Sequence, residues 1–232
     1  MKTVWRYVGL LLIVQSAASC SPEAAPPSEQ QPTNVTAGST EQTGPEKLVL
    51  ALGDSLYAGY GLKQDQSFPA ALERELDAAG LSTKVVNAGV SGDTTAGGRA
   101  RLAFTLDGLP RKPDLAIVGL GANDALRGID PAQTRSNLDA IVGELDKRGI
   151  PVLLTGMMAP RNLGTAYVSS FDAIYPALAR KYDAKLDPFF LDGVITRPDL
   201  LLSDGMHPNQ AGVRIMARRI APMAGEQLKT AK

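Results

Sequence analysis

Imidazole and thiol are scarce in this chain: its 232 residues contain one His and one Cys. Any step that needs a base poised near neutral pH through an imidazole must therefore use His207. Asp204 precedes it in the block Asp204-Gly205-Met206-His207-Pro208-Asn209, close enough along the chain to orient one ring nitrogen. A hydroxyl stands in Gly53-Asp54-Ser55-Leu56, directly after an apolar run. Cleaving an ester with a serine requires such a hydroxyl, a base within hydrogen-bond reach and a group that orients the base. It also requires donors aimed at the negative oxygen of the tetrahedral intermediate. Gly89 offers a bare backbone N–H and Asn123 a side-chain amide, so Ser55, His207, Asp204, Gly89 and Asn123 together could carry out acyl transfer.

Each part also has a plain structural reading. Gly53-Asp54-Ser55 is an acceptable turn, and Asn87 to Asp93 is an acceptable strand exit followed by a helix cap. Gly121-Ala122-Asn123-Asp124 suits an Asx-turn, and His207-Pro208 could simply start a helix capped nearby by Asp204. The functional reading rests on their joint occurrence, each at a strand exit or at the head of the last helix.

The elements that must position them follow from hydrophobic periodicity. Leu48-Val49-Leu50-Ala51-Leu52 is a continuous apolar run ended by Gly53, as expected of a strand buried on both faces. Further strands are predicted over 84–87, 114–120 and 152–156, with a short one over 185–187. Helical spacing marks 68–79, stopped by Gly80, then 131–147 opened by Pro131, then 171–182 and 209–228. Strands alternating with helices predict an α/β domain: a mostly parallel five-stranded sheet covered on both faces, in three α/β/α layers. In such sheets ligands bind beyond the carboxyl ends of the strands, where the blocks above fall. No internal repeat and no second domain interrupts 48–232.

Composition narrows the partners. Lys plus Arg and Asp plus Glu both number 24, so the formal net charge is zero. No basic field is available for a phosphate backbone, and nucleic acid is not an expected partner. One Cys excludes an internal disulfide, and with one His it cannot complete the usual zinc cluster.

The N-terminus reads as an address. Lys2 and Arg6 precede the run Gly9 to Val14, which is far shorter than the roughly 20 apolar residues of a spanning helix. This is the pattern of a secretory signal peptide over 1–19. Ala17-Ala18-Ser19-Cys20 resembles a bacterial lipobox, with Ala where the ideal has Leu. That resemblance implies a lipidated Cys20, a membrane partner and a place in the bacterial cell envelope facing the periplasm. Ser21, rather than Asp, after the Cys points to the outer membrane. Ordinary signal cleavage leaving a free thiol is the alternative. Residues 20–47 carry too few large apolar side chains to offset their ordering entropy and are expected to form a flexible tether, reaching on the order of 30 Å.

The four blocks together resemble the serine–glycine–asparagine–histidine hydrolase superfamily, also called the GDSL family. The likeness runs from Leu48 nearly to the C-terminus. Ser91-Gly92-Asp93-Thr94-Thr95, Asn123-Asp124-Ala125-Leu126-Arg127-Gly128, Ala173-Ile174-Tyr175-Pro176 and Pro188-Phe189-Phe190 are similar to its bacterial arylesterase and acyl-CoA thioesterase–lysophospholipase subgroup. The resemblance implies a flavodoxin-like fold, Ser55 as nucleophile, His207 as base and Asp204 as its partner. It also implies an oxyanion hole from the Ser55 N–H, Gly89 and Asn123, action on small-molecule or lipid acyl esters and thioesters, and no metal or cofactor. Met157 to Ala166 resembles the substrate loop of that subgroup, so Met157 and Met158 are candidates for an acyl groove or, equally, for core filling. Two other readings stay open: an O-acetyl esterase acting on envelope carbohydrate, and an envelope binding protein without catalysis. The scarcity of aromatic residues, 5% of the chain, gives a sugar few rings to stack on.

Overall fold

The computed structural model describes residues 46–230; the leader over 1–19, Cys20 and most of the 20–47 tether fall outside the described residues. The apolar run after Glu46 forms β1 (Lys47–Gly53), followed by the one-turn helix α1 (Ser55–Ala58) and then α2 (Phe68–Ala78). The chain continues through β2 (Thr83–Gly89), α3 (Thr95–Asp107), β3 (Leu115–Gly119), α4 (Ala122–Leu126) and α5 (Pro131–Lys147). It closes with β4 (Val152–Thr155), α6 (Thr165–Asp172), α7 (Ile174–Lys181), β5 (Lys185–Asp187) and the long α8 (Gln210–Thr230). The five strands are all parallel in the order β2-β1-β3-β4-β5. This is the doubly wound arrangement in which chain direction along the sheet reverses at β1 and β3, the place such folds reserve for ligands. Helix α2 packs against α8, and α3 packs against α5.

The buried faces follow from the sequence pattern. β1, β3 and β4 are buried along nearly their whole length, as strands covered on both sides must be. Helix α5 buries Thr134, Leu138, Ile141, Val142 and Leu145 at helical spacing, with Asp130 accepting from the Ala132 N–H at its start and Pro131 in the first turn. Beyond the short helices α1 and α4, where the sequence suggests turns, two elements depart from expectation. The 171–182 helix is in fact the second part of a pair, because α6 ends at Asp172 and the chain restarts at Ile174. Helix α3 was invisible to periodicity: it carries two glycines and mixes Arg and Thr with its apolar residues, burying only Thr95, Gly98, Leu102 and Leu106.

At the carboxyl end of the sheet, three glycines lie side by side in register: Gly89, Gly53 and Gly119. A Cβ on Gly53 or on Gly119 would run into the Tyr57 ring, and one on Gly89 into the backbone N of Ala58. The row is a floor without side chains, and α1 descends onto it. Tyr57, fully buried, lies over the floor and bonds through its hydroxyl to Thr155 Oγ1 at 2.9 Å. Gly89→Ala should therefore force a backbone shift at α1, and we expect a loss of about 1–3 kcal/mol of stability by urea denaturation, together with lower activity.

Candidate active site

Ser55 is the first residue of α1, one step beyond the glycine floor. Asp54 caps this helix: its Oδ1 accepts from the Leu56 N–H at 3.0 Å, and Gly59 ends the turn in the left-handed region. The hydroxyl of Ser55 is thereby turned outward, and its Oγ lies 2.9 Å from His207 Nε2. On the other side of the ring, Nδ1 lies 2.7 Å from Asp204 Oδ2. Asp204 Oδ1 accepts the backbone N–H groups of Met206 at 2.9 Å and His207 at 3.0 Å, so the carboxylate also closes the loop that carries the ring. With Nδ1–H donated to Asp204, Nε2 is left as an acceptor for the Ser55 hydroxyl.

The two carboxylates of the site have opposite environments. Hydrogen bonds from the backbone N–H groups of His207 and Met206, then from the His207 ring, hold Asp204 down to about 2, so it stays ionised over all but the most acidic pH. Asp54 is 1% exposed, and burial pushes it up to about 6 despite the Leu56 N–H and the nearby His207.

The structure places the two glycines of this region differently from the sequence expectation. Gly89 stays in the sheet, its N–H donates to Asn87 Oδ1 at 2.9 Å, and it is not among the residues around the groove described below. In the structure Gly89 is thus a floor residue under α1 and not the groove-facing donor expected of it. The glycine that reaches the groove is Gly92, with φ +84°, in the turn after β2. Asn123, on α4, also lines the groove. One hydrogen of its amide goes to the Asp93 carbonyl at 2.9 Å, and the next acceptor of Nδ2, Asp54 Oδ2, is at 3.5 Å, the outer limit of a hydrogen bond.

Two residues not foreseen from sequence hold this turn. Arg101 Nε donates to Asp93 Oδ2 at 2.7 Å, and its Nη2 donates to the Gly53 carbonyl at 3.0 Å, tying the turn after β2 to the end of β1. Arg127 Nη2 donates to the Gly92 carbonyl at 2.8 Å. Neither sits in a pattern that local sequence reading interprets, because each acts on backbone far away along the chain. Asp124, buried, accepts from the Thr95 N–H and hydroxyl and from Thr134 Oγ1, so it fastens α4 to α3 and α5.

Ser55, Asn123 and His207 open into a groove of about 760 Å³. Its wall is predominantly apolar, with Leu56, Leu126, Met157, Met158, Phe189, Leu191 and Ile195 among the lining residues. Met157 and Met158 both line the groove; Met157 is buried and belongs to the core as well, whereas Met158 is 42% exposed. The Phe189 side is braced from beneath by Arg219, which pairs with Asp187 and donates to the Phe190 carbonyl at 2.7 Å.

Comparison with known proteins identifies the family. A family described as GDSL-like lipase/acylhydrolase matches residues 51–215. The chain is 43% identical over 163 residues to an arylesterase of Vibrio mimicus, covering 70% of this chain and 80% of that protein. It is 39% identical over 183 residues to esterase TesA of Pseudomonas aeruginosa, covering 79% and 90%. Among solved structures, AlinE4, an SGNH-hydrolase family esterase, is 52% identical with a TM-score of 0.68, over 79% of this chain and 97% of that one. The crystal structure of TesA has a TM-score of 0.73 at 38% identity, over 78% and 99%.

The elevated Asp54 has a consequence for stability. Its acid form is favoured in the native state, so from 3.8 to about 6 the native chain binds this proton more tightly than the unfolded chain, and stability falls as pH rises through that window. Asp54→Asn keeps an acceptor for the Leu56 N–H and removes the titration. Urea denaturation at pH 4 and pH 7 should show the variant gaining roughly 2 kcal/mol on the wild type between the two.

Proposed function

The chain belongs to the GDSL-like lipase/acylhydrolase family, and from that premise we propose that it hydrolyses carboxylic esters and thioesters of apolar acyl groups through an acyl-enzyme on Ser55. The observation that carries this reading is the unbroken line Ser55 Oγ, His207 Nε2, His207 Nδ1, Asp204 Oδ2, with links of 2.9 and 2.7 Å, opening into an apolar groove.

In this reading His207 Nε2 takes the Ser55 proton as Oγ attacks the acyl carbon. The carbonyl oxygen becomes an oxyanion, and the carbon–oxygen or carbon–sulfur bond to the leaving group breaks as His207 returns the proton to it. Water then attacks the acyl-enzyme with His207 again accepting a proton, and the acid departs as Ser55 regains its hydrogen. Asp204, ionised throughout, stabilises the imidazolium of both steps. For the oxyanion we assign the N–H of Ser55, the N–H of Gly92 in place of Gly89, and the Asn123 amide hydrogen that Asp54 holds only at 3.5 Å. The groove would take the acyl chain along Leu126, Met157 and Met158. Homologues named arylesterase, esterase and thioesterase 1/protease 1/lysophospholipase L1 support a carboxylic acyl substrate. The apolar lining, which lacks a polar array for a sugar, weighs against an envelope carbohydrate.

We further propose that Cys20 is lipidated and holds the enzyme in the cell envelope. Metabolic labelling with a palmitate analogue should mark the wild type and spare Cys20→Ala, and equal labelling of both would remove the anchor.

The catalytic assignment is tested by hydrolysis of p-nitrophenyl esters from acetyl to palmitoyl. Ser55→Ala should lose turnover and labelling by a fluorophosphonate, and Asn123→Ala should fall roughly 10²–10³-fold in kcat. Unchanged rates in Ser55→Ala would refute the nucleophile, and an optimum at acetyl would move short O-acetyl substrates ahead of longer acyl chains.

A further inference from the structure

The loop that presents His207 has little packing of its own. Ser203, Asp204, Gly205 and Met206 are all exposed, and the loop is tied down mainly at its ends, by the Leu202 N–H to the His207 carbonyl at 2.8 Å and by the Leu201–Pro208 bridge. The Asp204 contact fixes Nδ1 but comes from this same exposed loop. A hydrogen bond at one ring atom leaves the imidazole free to swing about the Nδ1 contact, whereas acceptance of the Ser55 proton requires Nε2 to stay on line with Oγ.

Beyond the Ser55 hydroxyl at Nε2, the ring of Tyr60 lies against the imidazole from another segment. Its centroid is 4.4 Å from that of His207 and the two planes are 31° apart. Tyr60 does not belong to α1; it sits just past it, between two glycines in the left-handed region, Gly59 at φ +81° and Gly61 at φ +71°. Side chains rarely adopt that backbone, and a Cβ at Gly59 would come 2.8 Å from Ser67 Cβ, one at Gly61 2.7 Å from Leu202 Cδ1. The backbone is thus bent sharply on both sides of Tyr60 and pressed onto Leu202, in the segment that leads into the His207 loop. Tyr60 nevertheless stays 50% exposed. A large aromatic ring left half in solvent, held by two glycine bends at the edge of the groove and laid on an imidazole, contributes little to the core, and its ring contact is with the base.

Resting on the Ser55–His207 reading above, we propose that Tyr60 is the positioning residue for His207: its ring face holds the imidazole plane so that Nε2 remains directed at Ser55 Oγ. The contact uses the ring face and not the hydroxyl, so Phe should serve in its place and an aliphatic side chain should not.

The chain offers a direct probe, because His207 is its one imidazole. In the full-length protein purified without a polyhistidine tag, the His207 ring protons should be displaced upfield by the Tyr60 ring current. Tyr60→Phe should preserve that displacement and Tyr60→Leu should abolish it, with Tyr60→Ala as a second aliphatic variant should Leu not fold. On p-nitrophenyl acetate, Tyr60→Leu should lose about tenfold in kcat with KM changed by no more than about twofold, and Tyr60→Phe should restore kcat to within about twofold of wild type. The melting temperature of each variant, taken alongside, separates lost positioning from lost fold. Full kcat in Tyr60→Leu, failure of Phe to rescue, or His207 resonances alike in the wild type and Tyr60→Leu would each overturn the proposal. His207→Ala is the companion control. If it keeps wild-type turnover, the Ser55–His207 reading itself falls; if it is inactive while Tyr60→Leu is fully active, only the role of Tyr60 falls.

Discussion

The site depends on a surface from which side chains have been removed. Gly89, Gly53 and Gly119 stand in one row across β2, β1 and β3, and the first turn after β1 can sit on the end of the sheet only because none of them has a Cβ. Close packing makes this an all-or-nothing arrangement, since an interior at native density has no spare volume into which α1 could retreat. Tyr57 fills the space above the floor and spends its hydroxyl on Thr155. Ser55, two residues earlier on the same turn, is left facing the groove. The outward aim of the hydroxyl is thus a product of packing beneath it.

Around that turn the charges divide into two kinds. Asp204 is exposed, collects three hydrogen bonds and is held ionised. Asp54 is buried beneath Ser55, and its ionisation is resisted by the low dielectric around it. The first suits a group that must meet a developing imidazolium, and the second suits a helix cap that must not reach solvent. Arg101 and Arg127 complete the set by holding backbone carbonyls, Gly53 and Gly92, from outside. A carbonyl held by a guanidinium fixes the plane of its own peptide, so Arg101 and Arg127 hold the Gly53–Asp54 and Gly92–Asp93 peptides in place.

The groove continues the same logic. Its wall comes from α1, α4, the segment after β4 and the segment after β5, all at the carboxyl end of the sheet. The wall is mainly apolar because these exits carry Leu, Met, Phe and Ile, with polar residues such as Ser55, Asn123, His207 and Arg161 in the minority. A pocket with few polar groups and those few convergent is the general form of a small-molecule site.

From the sequence alone, the α/β alternation, the buried strands, the Pro131 helix and the candidacy of Ser55, Asn123, Asp204 and His207 were legible, since each depends on local pattern or on scarcity: a chain with one imidazole offers one candidate base. The break between α6 and α7 and the whole of α3 were not legible, because helix ends and a weakly patterned helix are decided by neighbours. Gly89 shows the boundary most clearly. As a glycine at a strand exit it looked like a donor, and its local pattern was indistinguishable from that of Gly92, three residues on. Only the tertiary structure, by setting β2 beside β1 and lowering α1 onto both, decided that one of these glycines is a floor and the other lines the groove. The contacts of Tyr60, Arg101 and Arg127 have the same origin: sequence determines which groups exist, while their directions and partners come from packing between elements distant along the chain.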